Sequence, residues 1–303
     1  MNMSSKVCVL GASGFIGSNL LHHLNDRGVS AVGISRSVGQ GNVVQVSDFN
    51  DVELLTRALN DCNVVINAIG SFKPKDFLND IAEPFDELGA VAQAIDNVLS
   101  KASVKRFIQI SSAGTIYTHN DRQPRVEDDV AIPNTWYGRV KLLEESYYEQ
   151  ICSKHNIDYV VARVSNPFGN TRPIRHGFVD VLANSIVTGG RFRTFSTVRH
   201  ERDFLHIDDM SRMLLGLCNV ELASSREIFN VGYGDSFSLH ELACFVDGYC
   251  GNVIFDLEID ATNIEVVKVC TQKIESVCGV NWEKVSPFEY LRGVIEDNKG
   301  FAE

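Results

Sequence analysis

The short run Lys6-Val7-Cys8-Val9-Leu10 passes directly into Gly11-Ala12-Ser13-Gly14-Phe15-Ile16-Gly17 and then into a helical spacing of leucines at 20, 21 and 24. A buried-type strand that stops at glycine and re-emerges as an amphipathic helix is the opening half of a βαβ unit, which commits the chain to right-handed crossovers and a parallel sheet. Each glycine has a task in such a turn. The first permits the tight reversal, the next lets backbone approach a pyrophosphate, and the last lets helix and strand pack closely, with the phosphate at the helix N-terminus. The spacing here is Gly-x-x-Gly-x-x-Gly, and its candidate cofactor contacts are Gly11, Ser13, Gly14, Phe15, Ile16 and Gly17.

The alternation continues. Val29 to Ile34 reads as a second strand, Val43 to Val46 as a third, Val64 to Gly70 as a fourth, Arg106 to Ser112 as a fifth and Tyr159 to Val164 as a sixth. Helical patterns over Val52–Leu59, Pro84–Lys101 and from Tyr137 onward separate them. The fold class is therefore α/β, a Rossmann-like doubly wound parallel sheet. After Asn166-Pro167-Phe168-Gly169 the texture changes to glycine, proline and arginine, which marks a smaller C-terminal substrate-binding lobe. Residues 1–165 form the dinucleotide-binding part, with 203–231 returning to it, and 166–202 together with 232–303 form the lobe.

An NAD site usually offers a carboxylate about 20 residues after the first glycine. Between Asp26 and Asp48 this chain has no Asp or Glu; the second strand ends instead in Ser35-Arg36-Ser37. An arginine there suits the extra phosphate of NADP(H), so NADP(H) is favoured and NAD(H) is the second choice. The fifth strand delivers Ser111 and Ser112 at its carboxyl end, where ligands bind in doubly wound sheets. Downstream, Tyr137 and Lys141 stand four residues apart, hence on one helical face one turn apart. An ammonium beside a phenol favours the phenolate, so the pair can act as general acid and base.

The formal charge of −11 over 303 residues argues against nucleic acid or an anionic membrane as partner. Within this acidic chain, Arg163 to His206 holds seven arginines, no lysine and three acids, a basic patch for a small anionic ligand. No apolar run reaches the roughly 18 residues of a membrane span, and a strand pattern starts where a signal peptide would lie; a cytosolic protein is expected. Eight scattered cysteines without a Cys-x-x-Cys pair suggest reduced thiols rather than disulfides or zinc.

These residues resemble the extended short-chain dehydrogenase/reductases, specifically the nucleotide-sugar epimerase, dehydratase and ketoreductase group, over nearly the whole chain. The resemblance implies an adenine contact at Asp48-Phe49 and a strand end, Asn67-Ala68-Ile69, that passes the nicotinamide ribose. It places the catalytic serine or threonine within Ser111-Ser112-Ala113-Gly114-Thr115-Ile116-Tyr117 and the catalytic tyrosine and lysine at Tyr137 and Lys141. Arg163 to Gly169 and Arg202 to Asp209 are similar to substrate-lobe segments. Two departures stand out. Counting back from Tyr117 puts the hydroxyl position on Ala113, whereas the strand register puts it on Ser112, with Thr115 as the alternative; and the asparagine often found before Gly89 is absent from Asp86-Glu87-Leu88.

The expected machinery is then Tyr137 as proton donor and acceptor, Ser112 as its orienter and Lys141 as ribose ligand. Ala113, Thr115 and Asn166 flank the substrate, and Arg202 holds its diphosphate, helped by Arg191 or Arg193. The expected reaction is NADPH-dependent reduction of a nucleotide-linked 4-keto-6-deoxyhexose, with 4-epimerisation as the second reading. A non-catalytic dinucleotide sensor is the rival from another class, and the intact Ser112, Tyr137 and Lys141 set argues against it. A steroid-type or flavonoid-type dehydrogenase is disfavoured by the arginine-rich second lobe. Leu142, Leu143, Tyr147, Tyr148 and Ile151 spread apolar surface over more than one helical face, from which a homodimer is expected.

Overall fold

The computed structural model describes residues 6–37, 42–46, 49, 51–70, 72, 82–117, 123–169, 177–195, 200–251, 253–256 and 265–299. Asp48, an expected cofactor contact, lies outside the described residues, as do Arg172, Arg175 and Arg199 of the basic stretch.

The elements run in the order β1 (Lys6–Leu10), α1 (Phe15–Asp26), β2 (Ala31–Ser35), β3 (Val43–Gln45), α2 (Val52–Ala58), β4 (Cys62–Asn67), α3 (Ala82–Leu99), β5 (Arg106–Ser112), α4 (Ala113–Ile116), α5 (Trp136–His155) and β6 (Asp158–Val164). Then follow β7 (Asn166–Phe168), α6 (Gly177–Thr188), β8 (Phe192–Phe195), β9 (His200–Arg202), β10 (Phe204–His206), α7 (Ile207–Leu217) and β11 (Arg226–Val231). The chain closes with β12 (Phe237–Ser238), α8 (Leu239–Cys250), β13 (Val253–Asp256), β14 (Glu265–Val267), α9 (Gln272–Cys278) and α10 (Pro287–Lys299).

Seven strands form one sheet in the order β11-β6-β5-β4-β1-β2-β3, with every neighbouring pair parallel. The doubly wound sheet expected from the strand–helix alternation is thus present. The order reverses between β1 and β4, which opens a crevice outside their carboxyl ends. Successive β1 side chains serve opposite faces: Val7 and Val9 pack with the leucines of α1 and the α7 residues Met210, Met213 and Leu214, while Cys8 and Leu10 join Leu55, Ile95 and Tyr148 from α2, α3 and α5. That period-two division is what makes a continuous apolar run a strand buried on both sides.

Two boundaries differ from the sequence pattern for local reasons. The fourth strand ends at Asn67 because its side-chain Oδ1 accepts the Ile69 N–H at 3.2 Å and turns the chain. The catalytic-pattern helix starts one residue early, at Trp136, because Thr135 Oγ1 accepts the Gly138 N–H at 3.1 Å as an N-cap, and it runs on to a left-handed Asn156 (φ 54°).

Beyond β6 a third apolar cluster gathers Phe168, Leu182, Phe204, Leu242 and Leu291 from β7, α6, β10, α8 and α10, away from the main sheet. Small pairings accompany it: β10 with β7, β13 with β8, and β9 between β12 and β14. The chain then returns, since β11 pairs with β6 at the edge of the main sheet. Among the described residues no helix is long and apolar enough to cross a membrane. All eight cysteines are free, and Cys8, Cys62, Cys152 and Cys218 are buried.

Candidate active site

The glycine turn is closed by steric necessity. Gly11 has φ +78°, and a Cβ there would lie 2.6 Å from the Ala68 carbonyl oxygen, so only glycine lets the β1 and β4 ends meet. A Cβ on Gly17 would lie 2.3 Å from the Gly11 carbonyl, which is how α1 packs onto the turn. Helix α1 begins at Phe15 with Gly14 as N-cap, no side-chain cap and no acid in its first turn. Its positive end is therefore left for an anion. Ser13 Oγ and Ser35 Oγ share a 2.5 Å hydrogen bond that ties the turn to the end of β2. The turn thus leaves backbone and an uncapped helix start open on one side, a shape and polarity suited to an anionic group.

Other expected cofactor contacts are placed differently. Phe49 is 7 % exposed and packs into the core with Leu55 and Leu59, and Asn67 is 1 % exposed, its amide turned to Gln109 rather than outward. From that strand end Ala68 and Ile69 are the half-buried residues that border the crevice. Arg36, at the end of β2, is paired with Glu87 of α3 at 3.1 Å. The acid that the stretch between Asp26 and Asp48 lacks thus arrives from another helix. Asp86, where the family asparagine would stand, is exposed.

The two serines at the end of β5 have separate tasks. Ser111 is buried and donates to Glu145 Oε1 at 2.5 Å. Ser112 is half-buried and extended (φ −129°, ψ 105°) and makes no side-chain cap to the following α4. Among the described residues, Thr115 Oγ1 is buried with no hydrogen-bond partner. Ala113 is fully buried beneath them. Gly138 brings α5 onto this segment: a Cβ there would lie 2.3 Å from the Thr115 carbonyl. Tyr137, one residue before, packs with Phe85, Leu88, Val140 and Leu143.

Lys141 is 7 % exposed, with Nζ 2.6 Å from Glu144 Oε2 and 3.4 Å from the Ile110 carbonyl. Burial pulls its ammonium down, but the Glu144 carboxylate and then Tyr137 outweigh burial and leave its pKa above the ordinary lysine value. Glu144 in turn sits above the ordinary carboxylate range because burial outweighs Lys141. Neither acid neighbour was singled out in the sequence, although positions three and four residues after Lys141 share its helical face.

Asn166 lies against the segment after β5, its amide 3.5 Å from where a Gly114 Cβ would be, and it donates to the Asp203 carbonyl at 2.9 Å. Arg202 lies on β9, while Arg191 and Arg193 are exposed at β8, in a different small sheet. The basic stretch is smaller than its sequence suggests. Arg163 is 5 % exposed and consumed by a bidentate pair with Glu145 at 2.9 and 3.2 Å.

A glycine cradle at the switch point, with a hydroxyl strand end and a Tyr-Lys helix turn beside it, has a counterpart among known proteins: residues 7–232 match the NAD dependent epimerase/dehydratase family. The chain belongs to that family. It is an enzyme of the extended short-chain dehydrogenase/reductase type. Similar proteins include the dTDP-4-dehydro-6-deoxyglucose reductase of Escherichia coli, 25% identical over 252 residues (78% of this chain, 79% of that protein). The UDP-glucose 4-epimerase of Azospirillum brasilense is 27% identical over 286 residues (83% and 79%). Among solved structures, a UDP-glucose 4-epimerase with UDP-glucose from Thermotoga maritima superposes with a TM-score of 0.80 at 22% identity, covering 98% of this chain and 100% of that one. At that identity the likeness concerns the fold.

Two alanine substitutions separate close approach from mere helix composition. Gly138→Ala forces backbone apart and is expected to cost about 1–3 kcal/mol and most of the turnover. Gly89→Ala, whose Cβ meets nothing within 4 Å on α3, is expected to be neutral or stabilising by up to about 1 kcal/mol. Thermal melts and initial rates check both, and equal behaviour of the two variants would remove Gly138 from the architecture of the site.

Proposed function

We propose that the chain is an NADP(H)-dependent oxidoreductase acting on a nucleotide-linked sugar, reducing the keto group of a 4-keto-6-deoxyhexose. The observation that carries the reading is that Gly138 lies against the Thr115 carbonyl and Lys141 Nζ lies 3.4 Å from the Ile110 carbonyl, so the helix turn bearing Tyr137 and Lys141 is set against the segment of β5 and α4 that bears Ser112. A nicotinamide cofactor supplies hydride chemistry when bound. The chain's own residues do the rest. Tyr137 Oη holds the proton that the keto oxygen receives as it becomes a hydroxyl, Ser112 Oγ orients that oxygen, and Lys141 fixes the charge around Tyr137. Residues 166–202 and 232–303 hold the sugar and its diphosphate, with Asn166 at the sugar and Arg202 at the phosphates, assisted by Arg191 or Arg193.

Similarity to the Escherichia coli reductase supports this choice, and similarity to several UDP-glucose 4-epimerases supports 4-epimerisation with retained NAD as the second reading. The two differ in cofactor turnover. A reductase must exchange its cofactor every cycle, whereas an epimerase oxidises and re-reduces one carbon. Incubation with UDP-, dTDP-, GDP- and CDP-hexoses and their 4-keto-6-deoxy derivatives, with and without NADPH, decides between them. Stoichiometric NADPH loss with a keto sugar supports reduction; interconversion of hydroxyl epimers without net consumption overturns it. In the active assay Tyr137→Phe should abolish turnover while leaving the fold and cofactor affinity nearly intact. Ser112→Ala should lose most of the rate. A full rate in Ser112→Ala, with loss in Thr115→Ala instead, would move the orienting hydroxyl to Thr115.

The NADP(H) preference rests on Arg36 at the end of β2. Because Glu87 holds that guanidinium, Arg36→Ala is expected to weaken NADPH binding about tenfold or more relative to NADH, and Glu87→Gln to strengthen it, since a charge-assisted phosphate contact is released from competition. Fluorescence titration with both cofactors reads the ratio, and an unchanged ratio in Arg36→Ala would favour NAD(H). The homodimer is proposed on α5, where Tyr148 and Ile151 are buried on the sheet side and Tyr147 remains 43 % exposed on another. A monomer mass by light scattering at micromolar protein would overturn it.

A further inference from the structure

Helix α5 presents two consecutive acids, and their surroundings divide them. Glu145 is committed to structure: it accepts from Ser111 of β5 and from both Nε and Nη2 of Arg163 on β6. Glu144 points to the lysine of the catalytic pair. Its Oε2 lies 2.6 Å from Lys141 Nζ and 3.2 Å from Gln109 Nε2, and Gln109 Oε1 accepts from Asn67 Nδ2 at 2.7 Å. The side chains of Lys141 and Glu144 are only 8% and 13% exposed. A buried polar chain therefore runs from the helix turn that bears Tyr137, through Lys141 and Glu144, into β5 and β4.

The chemistry of the pair depends on that contact. A lone ammonium one turn from a phenol favours the phenolate, the form that removes a proton from a sugar hydroxyl. A carboxylate in direct contact with the ammonium cancels most of its field at the tyrosine and leaves the phenol, the form that donates to a keto oxygen. The other charged and titratable groups around this turn do not replace Glu144. On α5 they are Tyr137, Glu145, Tyr148 and the exposed Arg139, whose guanidinium lies over the Trp136 ring at 4.9 Å, and Glu145 is neutralised by Arg163 from β6. The β5 and β4 contributions are the neutral Ser111, Gln109 and Asn67. Helix α3 faces this part of α5 with Leu88, Val91 and Ile95, and its Asp96 pairs with Lys154 and His155 at the far end of the helix.

We propose that Glu144 is a positioning residue that neutralises Lys141 in the resting site, holds Tyr137 as a proton donor, and so biases the enzyme toward carbonyl reduction. This rests on the reading of Tyr137 and Lys141 as the proton-transfer pair, and it is tested without any sugar. The near-ultraviolet phenolate absorbance of the full chain is titrated with pH, with the Tyr137→Phe protein as blank, so that the difference reports Tyr137. A unit charge about 10 Å away at an effective dielectric near 20 is worth about one pH unit. Glu144→Gln removes the negative charge that disfavours the phenolate, so the Tyr137 phenolate should form about one pH unit lower than in the parent protein. Glu144→Asp, which keeps the charge, should restore the parent midpoint. If Glu144→Gln folds poorly, Glu144→Met removes the same charge and must give the same downward shift. An unchanged or raised midpoint in the charge-removing variant overturns the proposal. Failure of the substrate panel to reveal a reductase leaves this titration intact, because no substrate enters it.

Discussion

The buried Glu145–Arg163 pair is the interaction on which the site depends. Burial pulls the Arg163 guanidinium down, but its hydrogen bonds to Glu145 hold its pKa above even the ordinary arginine value. Through that pair α5 is fastened to β6, through Ser111 to β5, and through the Tyr159 hydroxyl on the Glu145 carbonyl at 2.9 Å to β6 again. Arg163 Nη1 also donates to Tyr117 at 3.0 Å, whose hydroxyl donates to Asn230 of β11 at 2.8 Å, so the network reaches the edge strand. Two charges taken out of water gain little net stability against an apolar alternative, yet losing one partner costs about 3–5 kcal/mol. What such a pair secures is register. Tyr137 and Lys141 lie two and one turns before Glu145, so the rotation of α5 that satisfies Arg163 also sets where the phenol and ammonium point.

The same helix is approached from its other end by backbone. Gly138 against the Thr115 carbonyl and Thr135 capping the Gly138 N–H hold the first turn close to the segment after β5. A rigid element clamped at both its start and its middle leaves the half-buried Tyr137 phenol little freedom, which is the condition for proton transfer over a fixed distance.

Local features were legible from the residues alone and long-range partnerships were not. The β1–glycine–α1 turn, the hydroxyl end of β5 and the Tyr137–Lys141 spacing each lie within one or two elements, where period and glycine placement suffice. Arg163 read as part of a basic patch because nothing nearby in sequence announces that Glu145, eighteen residues earlier, consumes it inside the core. Glu87 reaches Arg36 from α3, and Gln109, one strand over, holds the Asn67 amide, and neither partner is announced near its residue in the sequence. In each case the partner of a polar side chain is brought by tertiary packing. Glu144 is a different case. It was within reach of the helical spacing rule from Lys141, but an acid three residues after a lysine is the common mark of a solvated face, and only the burial of both side chains removes that reading.

Two adjacent carboxylates on one buried helix turn also constrain what this site can tolerate. If both were ionised without partners, their repulsion at low dielectric would drive one to protonate, as in any pair of close buried acids. Arg163 and Lys141 remove that conflict by taking one each, so the two ion pairs are mutually dependent: without the ammonium, Glu144 would face Glu145 with Gln109 as a hydrogen-bond donor. Burial already pushes Glu144 above the ordinary carboxylate range, and losing the ammonium would push it further, toward proton uptake. The charge state of Glu144 therefore depends on where the Lys141 ammonium sits.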